Sequence, residues 1–245
     1  MARIDDLLSR ALRTLPPKPG DNAHQSEKKR YSEQVSTQVA QAFAEELRER
    51  GLAGTRPSLP GRSDKSGAER RMAGGIGAKK VDVTWATEET GLILGNSIKS
   101  INFRDKRTGN FQKNLTNRRG DMLMEAVTLH RRFPYAVLGA LFFLDAEAAN
   151  DSTDRRRSTF LNAHNRMRLF TGRDDPAGRD EQYERIYLLL LHASPRDVVV
   201  KAFSVGNAKS SISLGAVVDD LVNLVAQRNP DFYEYVDGNL VHVTG

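Results

Sequence analysis

The chain has 245 residues, 39% hydrophobic and 28% charged, with no cysteine and a formal net charge of +6. That length and apolar content suit one α/β domain with a substantial core, and the missing thiols exclude disulfides, thiolate zinc sites and cysteine nucleophiles. The opening Met-Ala-Arg-Ile-Asp-Asp has no apolar run of the secretory kind, and the longest apolar run, residues 136–144, is too short to cross a bilayer, so a cytoplasmic protein is expected.

Residues 1–15 carry Ile4, Leu7, Leu8, Ala11 and Leu12 at helical spacing, ended by Pro16, Pro17 and Pro19. A longer helix is predicted over 27–50, with Val35, Val39, Ala42, Phe43 and Leu47 as its apolar stripe and Gly51 as its stop. Residues 55–77, rich in Gly, Pro, Ser and charge, read as a loop. Two strands follow, 80–85 and 92–103, joined by a turn at 88–91. Residues 105–117 form a polar, basic excursion, 120–132 a helix with Met122, Ala126 and Leu129 on one side, and 135–144 a buried strand. Residues 153–170 read as a basic helix, 185–192 and 198–203 as strands, and 214–228 as a last amphipathic helix. This order is that of an α/β fold, a mixed β-sheet flanked by helices, with an N-terminal segment over 1–25 and a single domain over 26–245.

The positive charge is concentrated. Between Lys99 and Arg119 seven basic residues (Lys99, Arg104, Lys106, Arg107, Lys113, Arg118 and Arg119) stand against one acid, Asp105. Such a run suits a polyanion, because neutralised phosphates supply nucleic-acid affinity. Within the predicted strands three polar residues stand where apolar ones are favoured. Asp82 lies between Val81 and Val83, and Ser97 and Lys99 flank Ile98. Alternation places Ser97 and Lys99 on one face, and pairing through the 88–91 turn brings Asp82 beside them. A carboxylate and a lysine on a sheet cost desolvation unless their charges serve something. A hard-metal site uses such a pair: carboxylates and carbonyls hold Mg2+, while lysine orients water and offsets phosphate charge. The bland alternative is a surface strand with one polar face.

On Lys80–Val81–Asp82–Val83 and Asn96–Ser97–Ile98–Lys99–Ser100 the chain resembles the PD-(D/E)xK nuclease superfamily, restriction endonucleases in particular. The resemblance spans about residues 33–145, leaves 150–245 as a C-terminal extension, and implies a restriction-endonuclease-like mixed sheet flanked by helices. Val81 stands where the motif has proline, and Ser97 where it has an acid. In a subgroup with a Ser-x-Lys triplet the acid has moved to the following helix. Here that implies Glu125, with Asp121 one turn earlier as its rival and an ion pair to Arg131 or Arg132 as the structural alternative. The activity implied is Mg2+-dependent hydrolysis of DNA phosphodiesters, by a restriction or other phage-defence enzyme. Asp82, Glu125 and the Ile98 carbonyl would hold the metal, Lys99 would act on water and phosphate, and Ser97 would bond a metal-bound water. Arg104, Lys106, Arg107, Lys113, Arg118 and Arg119 would contact the nucleic acid, and a homodimer suits a double-strand cutter. Two alternatives stay open: a catalytically inactive DNA-binding module of the same fold, and an RNA-processing nuclease.

Other residues carry weaker signals. Glu45, Glu46 and Glu49 read as a solvated helix face or as extra acids of the site, and His130 as a packing or phosphate-contact residue. Arg155, Arg156 and Arg157 read as a solvated helix start. Gly74–Gly75–Ile76–Gly77 lacks the GKS or GKT ending of a phosphate loop.

Overall fold

Helical periodicity near the N-terminus gives two packed helices in the computed structural model, which describes residues 3–58, 70–194 and 196–243. They are α1 (Arg3–Arg13) and α2 (Gln25–Glu49). A capping box starts α2: the His24 ring accepts the Ser26 N–H at 3.3 Å, and Glu27 accepts the His24 N–H at 3.1 Å. Gly51 follows its end at φ 93°, and a Cβ there would lie 2.1 Å from the Leu240 carbonyl oxygen, so only glycine fits.

β1 (Arg70–Ala73) and β2 (Ala78–Val81) pair as a separate ribbon. β3 (Val83–Thr87) and β4 (Gly91–Ile101) form the expected hairpin, its turn held by a 2.7 Å bond between the Thr87 and Thr90 hydroxyls. α3 (Leu115–His130) leads to β5 (Val137–Asp145), and α4 (Thr159–Met167) to β6 (Arg185–Ala193) and β7 (Val198–Ser204). α5 (Leu214–Arg228) and a short hairpin, β8 (Tyr233–Val236) with β9 (Asn239–His242), complete the order. The main sheet runs β3-β4-β5-β6-β7, with β4, β5 and β6 parallel and both edge strands antiparallel.

Helices cover both faces of this sheet, which is why β5 and β6 are almost continuously apolar. Ile98, Leu141, Phe143 and Leu189 pack with α1, α2 and α5 on one side. Ile101, Phe142 and Leu188 pack with α3 and α4 on the other. Ile4, Leu7, Leu8 and Leu12 bring α1 into the first of these cores. No helix among the described residues is long and apolar enough to cross a membrane.

Several predicted boundaries are corrected. Residues 80–85 are not one strand: the chain bends at Asp82, so β2 joins the ribbon and β3 the main sheet. Residues 55–77 are not all loop, because 70–73 form β1; residues 59–69 lie outside the described residues. α3 begins five residues before Gly120, which faces open space within the helix and so costs propensity but no packing. α4 begins only at Thr159, where Ser158 caps it; Thr153 and Arg156 pair in a turn before it, so the three arginines precede the helix.

Candidate active site

β3 pairs with β4 only as far as Asn96, so residues 97–101 of β4 have β5 on one side and, among the described residues, no strand on the other. The bend at Asp82 falls at this point. Its carboxylate stands in for the missing strand and accepts the Ile98 N–H at 2.6 Å. The N–H and C=O of one strand residue point to the same edge, so the Ile98 carbonyl also faces the Asp82 side.

Ser97 and Lys99 share the sheet face opposite Ile98, as alternation requires, and meet Glu125 of α3 there. Lys99 Nζ lies 3.2 Å from Glu125 Oε2, 3.3 Å from Ser97 Oγ and 3.9 Å from Asp82 Oδ2. Ser97 Oγ donates to the other Glu125 oxygen. Burial alone would lower the Lys99 pKa, but the Glu125 and Asp82 charges outweigh it and hold the ammonium above its ordinary value. The predicted trio of Asp82, Lys99 and Glu125 therefore converges.

The rivals do not join it. Asp121 is exposed and pairs with Arg118, at 3.8 Å. Arg131 pairs with Asp180 at 3.6 Å and Arg132 lies over the Phe133 ring, so neither neutralises Glu125. Glu45 and Glu49 pair with Arg3, and Glu46, far from solvated, is buried against Arg50 at 2.7 Å. His130 is a packing residue, its Nε2 3.3 Å from buried Glu184. The glycine segment packs on the end of α3, the Gly75 N–H donating to the Thr128 carbonyl at 2.8 Å.

Tyr183, which sequence reasoning missed, closes the site on its buried side. Its hydroxyl donates to the Met122 carbonyl at 3.2 Å. Burial, reinforced by the Glu125 and Asp82 charges, holds its phenol well above the ordinary value. No local pattern marks this tyrosine, because a long-range bridge between Thr171 and Tyr183 delivers it.

Asp82 and Lys99 lie in an open groove of about 990 Å3. One wall is α2, through Lys28, Lys29, Ser32 and Ser36; the other is the 103–118 segment, through Arg104, Lys106, Lys113 and Arg118. Four of the six predicted nucleic-acid contacts thus line it. Arg107 and Arg119 do not, the latter lying over the Phe170 ring. Arg104 is tied to Glu147 at 3.0 Å and Lys113 to Asp105 at 2.7 Å. Hydrogen bonds from Lys113 and then Thr108 lower the Asp105 carboxyl to about 2. The α2 lysines were also missed, although Gln25, Lys28, Ser32 and Ser36 form a polar stripe at helical spacing.

Among the described residues no three His, Asp or Glu side chains gather as a metal site. Asp82, Glu125 and the Ile98 carbonyl are nonetheless hard oxygen donors, a set that fits Mg2+, which commonly takes one or two carboxylates and keeps several waters. Comparison with protein-family models, with curated proteins and with solved structures finds no match.

Proposed function

We propose that this chain is a Mg2+-dependent endonuclease acting on DNA, with the restriction-endonuclease-like fold of the superfamily that its Asp82 and Ser97–Ile98–Lys99 segments resemble. The observation that carries this reading is the meeting of Asp82, Lys99 and buried Glu125 at a groove, lined by Asp82 and Lys99, with cations on both walls. Three separate stretches of chain deliver two carboxylates and a lysine to one point, a desolvation cost that a merely polar surface does not incur. The β3–β4 hairpin, the crossing α3 and the parallel β5 support the same reading. The restriction or phage-defence setting, and a homodimer to cut both strands, follow from the resemblance.

Asp82, Glu125 and the Ile98 carbonyl would hold Mg2+, which when bound supplies a water of lowered pKa and offsets phosphate charge. The chain's own residues prepare the site. The Ile98 N–H fixes one Asp82 oxygen, and Ser97 holds Glu125 from the strand side. Lys99 stands where an ammonium opposes the negative charge that grows on the phosphate oxygens. Held against both carboxylates, its part is to orient water and stabilise charge. Groove cations would grip the backbone and set register without reading sequence.

Supercoiled plasmid incubated with Mg2+ or with EDTA tests this. Nicking or linearisation is expected only with Mg2+. Glu125→Gln and Asp82→Asn should each slow it by on the order of a hundredfold, while Asp121→Asn stays near wild type. Melting curves should show Glu125→Gln still folded, since the substitution keeps shape and can still accept from Ser97. Wild-type cutting by Glu125→Gln overturns the assignment of the second acid. A wild-type chain that binds DNA and leaves it intact with Mg2+ is the inactive module instead.

A further inference from the structure

Arg118 stands two helical turns before Glu125 on α3, a spacing that returns to the same helix face. It lines the groove together with Asp82 and Lys99. Two cations, Arg118 and Lys99, thus face one groove, and the Glu125 and Asp82 carboxylates are engaged by Lys99. Two other cations of this wall have close acid partners, Arg104 with Glu147 and Lys113 with Asp105, while Lys106 is held by the Asn22 carbonyl at 3.5 Å. Arg118 has a loose one, exposed Asp121 at 3.8 Å, and its Nε is shielded from solvent with no hydrogen-bond partner. A guanidinium that shares a groove with an ammonium, with a donor unspent, is arranged for an anion that both can share.

We propose that Arg118 is a phosphate-binding residue of this site, its guanidinium taking a non-bridging oxygen of the same phosphate that Lys99 faces. The proposal rests on the nuclease reading and adds a residue to it. Its planar fork would hold the phosphate against Lys99 and bear part of the charge that grows as the phosphorus is attacked. Arg119, the next residue, lies over the Phe170 ring at 5.8 Å and does not line the groove, which makes it the natural control.

The test compares wild type, Arg118→Ala, Arg118→Lys and Arg119→Ala in two assays, after melting curves confirm folding. The first is Mg2+-dependent cleavage of a DNA duplex over a range of substrate concentrations. Arg118→Ala should lower kcat by about ten- to a hundredfold, Arg118→Lys should recover part of it, and Arg119→Ala should leave kcat unchanged. An unchanged kcat in Arg118→Ala overturns the proposal while leaving the nuclease reading standing. The second is binding of the same labelled duplex in EDTA, which needs no cutting. Arg118→Ala should weaken it several-fold and make its salt dependence shallower by about one unit. If wild type does not cut at all, the nuclease reading falls and this assay decides alone: weakened binding keeps Arg118 as a phosphate contact, and unchanged binding removes it.

Discussion

Burial is accommodated in two ways here, by opposite charges around Glu184 and by neutrality at His164. Glu184 is of the first kind. It accepts the Leu138 N–H at 2.7 Å and faces Arg173 at 3.0 Å, Arg228 at 3.2 Å and His130 at 3.3 Å. Burial would raise its pKa, but these partners outweigh it and the carboxyl is held below its ordinary range. His164 is of the second kind. Its Nδ1 accepts the Gly206 N–H at 3.1 Å, so the proton of the neutral ring sits on Nε2, which is buried without a partner. The ring meets Phe160 edge-on at 4.6 Å, and burial lowers its pKa to about 4. The unfolded chain therefore takes up the proton first as the solution is acidified. Stability held through the neutral ring is complete above about pH 6.5 and is lost as pH falls through about 4. The loss should be on the order of 2–3 kcal/mol. Thermal melts from pH 7.5 to 4 should show this acid limb in wild type and a flatter one in His164→Gln. Equal limbs in both proteins would assign the acid sensitivity to other groups.

Strand β4, which carries Ser97, Ile98 and Lys99, also makes an unusual packing contact with β5. Asn96 and Gly139 are paired in register. The Asn96 side chain is fully buried with neither its oxygen nor its nitrogen hydrogen-bonded, and a Cβ on Gly139 would lie 1.9 Å from that oxygen. Gly139→Ala should therefore destabilise by about 1–3 kcal/mol, as overpacked cores do. Asn96→Ala removes the clashing amide along with its unsatisfied groups. The double variant should accordingly be less destabilised than the sum of the single ones, a coupling measurable by denaturant unfolding. Strict additivity would mean that the two side chains do not meet. The same strands show what period-2 reasoning can reach. It places Ser97 and Lys99 together, opposite Ile98, because each residue's face depends only on its neighbours. It does not reveal the bend at Asp82, since Val81 and Val83 favour extended chain on both sides and only the pairing partners differ. Short β8 and β9, with mostly exposed side chains, leave too little pattern to be read.

At the scale of the whole molecule, a +6 charge suits a polyanion but does not say where one would bind. The local cluster of basic residues was legible in the 99–119 segment. Which of its members share a surface was not, because consecutive residues diverge: Lys106 lines the groove while Arg107 points elsewhere, and Arg118 lines it while Arg119 does not. Nor could local spacing show that α2 supplies the facing wall, a relation set by tertiary packing and fixed in part by a 3.1 Å bond from Asn102 to Ser32. This division gives a direct test of the groove as the path of a phosphate backbone. Lys29 is an exposed groove lysine on α2, with Glu33 at 3.8 Å, and its removal should not disturb the core. Deleting one cation that neutralises a phosphate should make the plot of log affinity against log salt shallower by about one unit on duplex DNA. Lys29→Ala and Lys106→Ala should each show that change in EDTA, from opposite walls, with affinity weakened at low salt. Arg107→Ala should keep the wild-type slope. A slope that responds to Arg107 and to neither lysine would place the bound polyanion outside the groove.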